Sequence, residues 1–205
     1  MMKTTPRKKP ATPNSIIRFA TRQLRFSIFI VLAFFSMSHA FAANVGAETV
    51  KAKEIKHPEG AVIFSIPKHW GEEYDLEGNG IYYENGKNTT KLRVNVITVN
   101  LPIPVTANSG AKALCILKDM KPTEVENLPN GNALARLIER TTEEGLPTTN
   151  YRWYVAHPIP PQHVRMATFS FTFPSSLEES PKTVAELQFL EGSIRNTQFY
   201  LPQDL

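Results

Sequence analysis

The 205-residue chain holds a single cysteine, Cys115, so no disulfide can form within it. A catalytic thiol needs a positioned histidine and an electropositive setting. The run Leu114-Cys115-Ile116-Leu117 offers neither, and the expected role of Cys115 is that of a small buried apolar residue. Signature motifs are lacking as well: there is no Gly-x-Ser-x-Gly elbow, no Walker loop, no Gly-x-Gly-x-x-Gly and no His-Glu-x-x-His. Their absence excludes the usual forms of those hydrolase, nucleotide and zinc sites, and the reading is of a protein that is not an enzyme. No apolar run attains the ~20 residues that cross a bilayer as a helix. Acids are missing from the start of the chain, where the first is Glu48.

The same stretch carries seven basic residues, Lys3, Arg7, Lys8, Lys9, Arg18, Arg22 and Arg25. A short apolar run from Phe26 to Phe35 follows, and then Ala40-Phe41-Ala42. Basic region, apolar core and Ala-x-Ala ending predict a secretory signal peptide over 1–42, cleaved before Ala43; an uncleaved anchor is the rival reading. Arg22 and Arg25 are not adjacent, which argues against twin-arginine export. Without the leader, 16 basic residues face 19 acids, a net charge of −3 where the full chain has +4. Nucleic acid thereby loses its main support as a partner. The expectation is an exported protein, periplasmic or secreted, with no stable membrane span after cleavage.

Residues 43–54 are small and polar and read as a flexible tail. Residues 55–200 suffice for one domain with a core of its own. Its centre is Val164 to Phe173, where Phe169, Phe171 and Phe173 alternate with Thr168, Ser170 and Thr172, the period of a strand with one aromatic face. Pro174 stops the strand. Ser180-Pro181 is a cap followed by proline at the first helical position, and Val184, Leu187, Leu190 and Ile194 then form a stripe that can lie on the phenylalanines.

Earlier in the chain, Ala61 to Ile66 is a strand closed by Pro67, with Trp70 beyond it, and Glu72 to Gly80 reads as an acidic loop. Ile81–Glu84 and Leu92–Leu101 are strands joined at Asn85-Gly86. In the second of these the apolar positions switch parity, which predicts a bulge or burial on both faces. A helix capped by Asn108 or Ser109 is expected to run to about Met120, with Ala113, Leu114, Leu117 and Met120 on one side. A hairpin turns at Pro129-Asn130-Gly131, and Tyr151–Ala156 is a strand rich in aromatics. The order predicts an α+β domain, an antiparallel β-sheet flanked by helices.

The run Phe64-Ser65-Ile66-Pro67-Lys68-His69-Trp70 resembles the opening of PsbP-like domains, and Tyr151-Arg152-Trp153-Tyr154, Phe169-Ser170-Phe171-Thr172 and the closing helix resemble their end. The resemblance covers roughly Ile55 to Phe199. It implies an antiparallel sheet between helical layers (an α/β/α sandwich) and a role in binding or assembly without catalysis.

Candidate site residues fall into two sets. For a partner, the aromatics and arginine left outward are the anchors: Arg152, Tyr154, Trp70, Tyr74 and Tyr83. Along 151–157 the more apolar Tyr151, Trp153 and Val155 are expected inward and Arg152 and Tyr154 outward. For a metal, Glu73, Asp75, Glu77 and Glu84 have calcium-loop spacing around Gly78. Glutamate at the first position and the lack of a preceding helix count against it, so a solvated loop with no cofactor is the expectation. His157 and His163 flank a proline-rich loop and can face each other across a hairpin, with no third ligand for zinc. The function expected is a non-enzymatic binding protein of the bacterial envelope whose partner is another protein, for example an immunity or accessory factor. A small-ligand or lipid carrier using the groove between helix and sheet is the alternative, and an unrecognised enzyme the third.

Overall fold

The computed structural model describes residues 50–200 apart from 58–61, 85–89, 118–119, 122–123 and 144, all within the unit Glu48–Leu205. The leader over 1–42, its cleavage point and the Asn85-Gly86 turn lie outside the described residues. The elements follow in the order β1 (Ala52–Lys56), β2 (Val62–Pro67), β3 (Trp70–Tyr74), β4 (Gly80–Glu84), β5 (Lys91–Asn100) and α1 (Ser109–Leu114). Then come β6 (Val125–Asn127), β7 (Ala133–Glu143), β8 (Leu146–Ile159), β9 (His163–Pro174), α2 (Pro181–Arg195) and β10 (Gln198–Phe199).

Seven strands form one sheet in the order β3-β4-β5-β9-β8-β7-β6, and β1-β2-β10 form a second. Every pairing among the described strands is antiparallel. The fold is α+β, as the sequence predicts, with one difference of layering: the small sheet shares with α2 the layer over the large one.

The phenylalanine strand sits in the middle of the large sheet, and Phe169, Phe171 and Phe173 are fully buried. Each contributes on the order of 1.5–3 kcal/mol through burial. They pack with Leu92 and Val94 of β5, Trp153 and Val155 of β8, Phe64 and Ile66 of β2, and Leu190 and Ile194 of α2. Phe64 of the small sheet meets Phe169 edge-on at 5.1 Å, which ties the two sheets together. Helix α2 starts as read: Ser180 Oγ accepts from Thr183 N at 3.2 Å, with proline following the cap. Leu190 and Ile194 face the core and Leu187 packs at its margin, but Val184 is exposed. Among the described residues β10 pairs with β2 at Val62 and Ile63, and Ser193 of the helix bonds further along that edge. Its hydroxyl accepts from Ser65 N at 2.7 Å and donates to Ser65 O at 2.8 Å.

Three sequence expectations change, and a fourth is decided between its two alternatives. Ala52–Glu54 is strand and not tail, since its backbone pairs with β2 from Ala52↔Pro67 to Lys56↔Ile63. The acidic stretch begins as strand β3, paired with β4 from Trp70↔Glu84 to Tyr74↔Gly80, so only Asp75 to Asn79 is loop. Helix α1 ends at Leu114, and Cys115 is its half-buried C-cap and not a core residue. Leu114 and Met120 still reach the interior, the latter through turns. Strand β5 needs no bulge: its register with β9 is unbroken from Lys91↔Thr172 to Asn100↔His163. Val96 packs on the main core while Ile97, on the other face, is 44% exposed.

Candidate functional site

Alternation in the large sheet sends every second residue to the face opposite the phenylalanines. At one end that face is covered by α1, where Leu114, Met120, Ala133, Ala135, Ala156, Val164 and Met166 make a second, smaller core. Over the rest, polar side chains stand in register across three strands, β5, β9 and β8. Arg93 is opposite Ser170, and Ser170 is opposite Arg152. With strands spaced about 4.8 Å apart, the two arginines bracket the serine. The neighbouring rows place Asn95, Thr168 and Tyr154 on one side and Lys91, Thr172 and Asn150 on the other.

Hydrogen bonds hold this surface in place. Ser170 Oγ donates to Asn150 Oδ1 at 2.8 Å, and Asn150 is itself buried. Arg152 is paired with Glu139 at 3.0 Å. Asn95 Nδ2 donates to Asn79 Oδ1. A cavity of about 320 Å³ opens here, lined by Asp75, Asn79, Arg93, Asn95, Thr168 and Ser170 among others. Tyr83 lies toward the β3 edge of the same face, its hydroxyl donating to Glu73 across the hairpin.

The five residues read as partner anchors do not form one patch. Arg152 and Tyr83 are on this face, both half-buried. Tyr154 points to it as expected, yet its ring leans on the core beneath α1, so it is only in part an outward anchor. Trp70 is a correction. It is buried and stacked on Phe171 at 5.9 Å, because β3 adds a strand where a loop was expected and turns the indole inward. Tyr74 belongs to the rim of the phenylalanine face, donating to Glu72 Oε1 at 2.7 Å and standing 3.4 Å from the Tyr82 hydroxyl. Burial is the main cause that pushes both tyrosine hydroxyls above their ordinary pKa.

The calcium spacing is likewise not realised as a cluster. Asp75 closes the β3–β4 turn: its Oδ1 accepts from Glu77 N and Asn79 N, each at 2.9 Å, and its Oδ2 from Asn79 Nδ2 at 2.9 Å. The Asn79 hydrogen bonds are the chief cause that holds its carboxyl below the usual range. Gly78, with φ of 82°, supplies the left-handed residue of that turn. Glu73 is committed to Tyr83, and Glu84 to Lys182 at the start of α2. Glu77 stays on the loop. These four carboxylates are held apart by the strands that separate them. His157 and His163 do not face each other either, since the register sets His157 against Arg165 and His163 against Ile159.

Sequence reasoning missed Arg93, Asn95, Asn150 and Ser170 as site members. The signal was present: once Leu92, Val94 and the three phenylalanines are inward, their neighbours must point the other way.

The arrangement is that of a sheet-based protein with one largely covered apolar face and, among the described residues, one polar, half-open face. No known family pattern matches the chain, and no curated protein matches it. Similar chains occur among solved structures. One is a Bacteroides thetaiotaomicron protein with 18% identity and a TM-score of 0.49, covering 74% of this chain and 49% of that one. This chain thus spans about half the length of that protein. LpqN of Mycobacterium tuberculosis, described as involved in cell envelope biogenesis, has 10% identity and a TM-score of 0.46, with 74% of this chain and 91% of that chain covered. The cyanobacterial PsbP of Synechocystis sp. PCC 6803 has 12% identity and a TM-score of 0.32, with 76% and 96% covered. The last belongs to the family that the sequence resembles. These are likenesses in chain path, and nothing about activity or partner follows from them.

Proposed function

We propose that the chain is an exported binding protein without catalytic activity that engages another protein through the open half of its large sheet. An accessory, assembly or immunity role in the bacterial envelope fits that reading. One observation carries it: Arg93 and Arg152 bracket Ser170 on a sheet surface that no other described element covers and that also presents Tyr83. Arginine and tyrosine are the residue types that dominate binding energy at protein interfaces. Asn150 beside Ser170 and Glu139 beside Arg152 hold these two side chains, so little order has to be gained there on docking.

The experiment is capture from an envelope extract with the mature chain and with its Arg93→Ala, Arg152→Ala double variant. Both side chains are solvent-accessible, so the melting temperature should stay within a degree or two. Capture should weaken about tenfold or more, equivalent to about 1.4 kcal/mol. Unchanged capture by a folded variant would remove this face from the account.

A further inference from the structure

The phenylalanine face holds a feature that protein docking on the opposite face leaves unused. Where α2 extends past the small sheet, a groove of about 440 Å³ opens between the helix and strands β7 and β8. Tyr151 and Trp153 line it from the sheet, Val184, Leu187 and Gln188 from the helix, and Arg136, Glu178 and Glu191 stand among them. The two rings lie 6.0 Å apart, and Tyr151 stacks on Phe173 at 5.9 Å, so the aromatic floor is fixed by the core beneath it. Ile138, the cross-strand partner of Tyr151, extends the apolar surface. It is 37% exposed and Val184 is 39% exposed. A volume of this size, with an aromatic and aliphatic floor and charged groups at its margin, suits a small molecule.

The polar groups decide its charge. Glu191 accepts from the Trp153 indole N–H and stands 3.4 Å from Arg195. Glu178 accepts from Arg140 at 2.7 Å and from the hydroxyls of Thr149 and Tyr151 at 3.2 and 3.4 Å. Both carboxylates are satisfied by donors of the chain itself. Arg136 is in a different position: its ion-pair approach is to Glu191 at 3.9 Å, beyond hydrogen-bond distance, and its side chain is 54% exposed. A half-exposed guanidinium held only by this long ion pair, beside an apolar trough, can turn its fork of donors to a planar anion with an apolar body.

We propose that this groove binds a small anionic amphiphile, a monocarboxylate with an aliphatic or aromatic body. The body lies on Tyr151 and Trp153 against Val184 and Leu187, and the carboxylate meets Arg136. The site is on the other face of the sheet from Arg93 and Arg152, so it stands or falls separately from protein capture.

The test is calorimetric titration of the purified chain with decanoate, with decanol and decyltrimethylammonium as neutral and cationic counterparts, all below micelle formation. Decanoate should bind saturably and one-to-one, about tenfold or more tighter than either counterpart. Arg136→Gln, which removes the charge, and Val184→Glu, which sets a like charge on the apolar wall, should each weaken decanoate about tenfold or more. Both positions are exposed, and thermal melting of the two variants should match the parent chain. Arg93→Ala, Arg152→Ala should leave decanoate binding untouched. Lack of saturable binding, equal affinity for the three probes, or an affinity indifferent to both groove substitutions would each overturn the proposal. An apolar tetrapeptide amide that bound in the Val184-sensitive groove while decanoate did not would assign it to a protein segment and overturn it as well.

Discussion

The two faces of the large sheet are made by the same strands, yet they differ in almost everything that side chains do. On the phenylalanine face, three aromatics of β9 pack against Trp70, Phe64 and Tyr151, and a sheet and a helix cover them. One residue further along the same strand, Thr168, Ser170 and Thr172 look out on a surface that α1 covers only at one end. The comparison teaches where stability and function separate. Apolar area removed from water holds the domain together on one side. On the other, polar groups are displayed with their positions fixed by that same backbone. Over Ala167 to Phe173 a substitution can therefore be assigned by parity: odd positions there belong to stability and even ones to the surface, whereas Val164 and Met166, nearer α1, are buried in the second core.

The largest effect should come from breaking the sealed face at its centre. Phe171→Ala removes a fully buried ring that stacks on Trp70 and lies beside Phe173. The expected loss is about 3–5 kcal/mol, the usual cost of emptying a buried phenylalanine site. Thr172→Ala, its neighbour on the other face, should cost well under half of that. Urea titrations of the two variants check the contrast, and equal losses would mean that the faces are not distinct in energy.

A smaller effect sharpens the comparison by asking what closes the cover. Ser193 of α2 satisfies both backbone groups of Ser65, where β10 no longer reaches along β2. Ser193→Ala would leave that part-buried N–H and carbonyl without their partner, a cost of about 0.5–1.5 kcal/mol, since water can reach them in part. The hydrogen-exchange rate of the Ser65 amide should rise in the variant, while amides of β7 and β8 keep their protection. A loss confined to global unfolding, with no local change at Ser65, would show that the bridge is incidental.

Much of this division could be read before the structure. The alternation of β9, the Ser180-Pro181 start of α2 and the inward set Trp153 and Val155 all follow from local pattern, because burial and period coincide there. Strands β1 and β3 could not be read. Ala52–Lys56 and Trp70–Tyr74 are polar for strands, and what makes them strands is the backbone of β2 and of β4 beside them. That pairing is tertiary, and propensity does not report it. The same cause misplaced Trp70, whose direction depends on β3 existing. The site was legible in half: Arg152 was found from β8 alone, but Arg93 and Ser170 gain meaning only through the register that brings β5, β9 and β8 side by side.

The smallest effect concerns the rim of the sealed face, where His157 of β8 stacks on Phe199 of β10 with centroids 5.5 Å apart. Asn132 Nδ2 donates to Thr197 O at 2.8 Å, which leaves Asn132 Oδ1 to accept from His157 Nδ1 at 2.8 Å. Arg165 lies opposite His157 in the register and donates to Tyr200 O at 2.6 Å. Burial first, and the Arg165 charge second, hold the imidazole below its ordinary pKa of 6.5. The unfolded chain takes up a proton as the pH falls through about 6.5, whereas the folded chain does so only at a lower pH. Between those values the unfolded state binds more protons, so stability falls as the pH falls, and it is complete above about 6.5. Carboxylates with lowered pKa values, such as Glu178 and Glu72, act in a more acidic window. Denaturation midpoints measured from pH 7.5 to 5 should therefore decline in the parent chain and decline less in His157→Gln, which keeps an amide donor toward Asn132. Parallel declines in the two chains would place the pH sensitivity at another histidine and separate the β10 clasp from protonation.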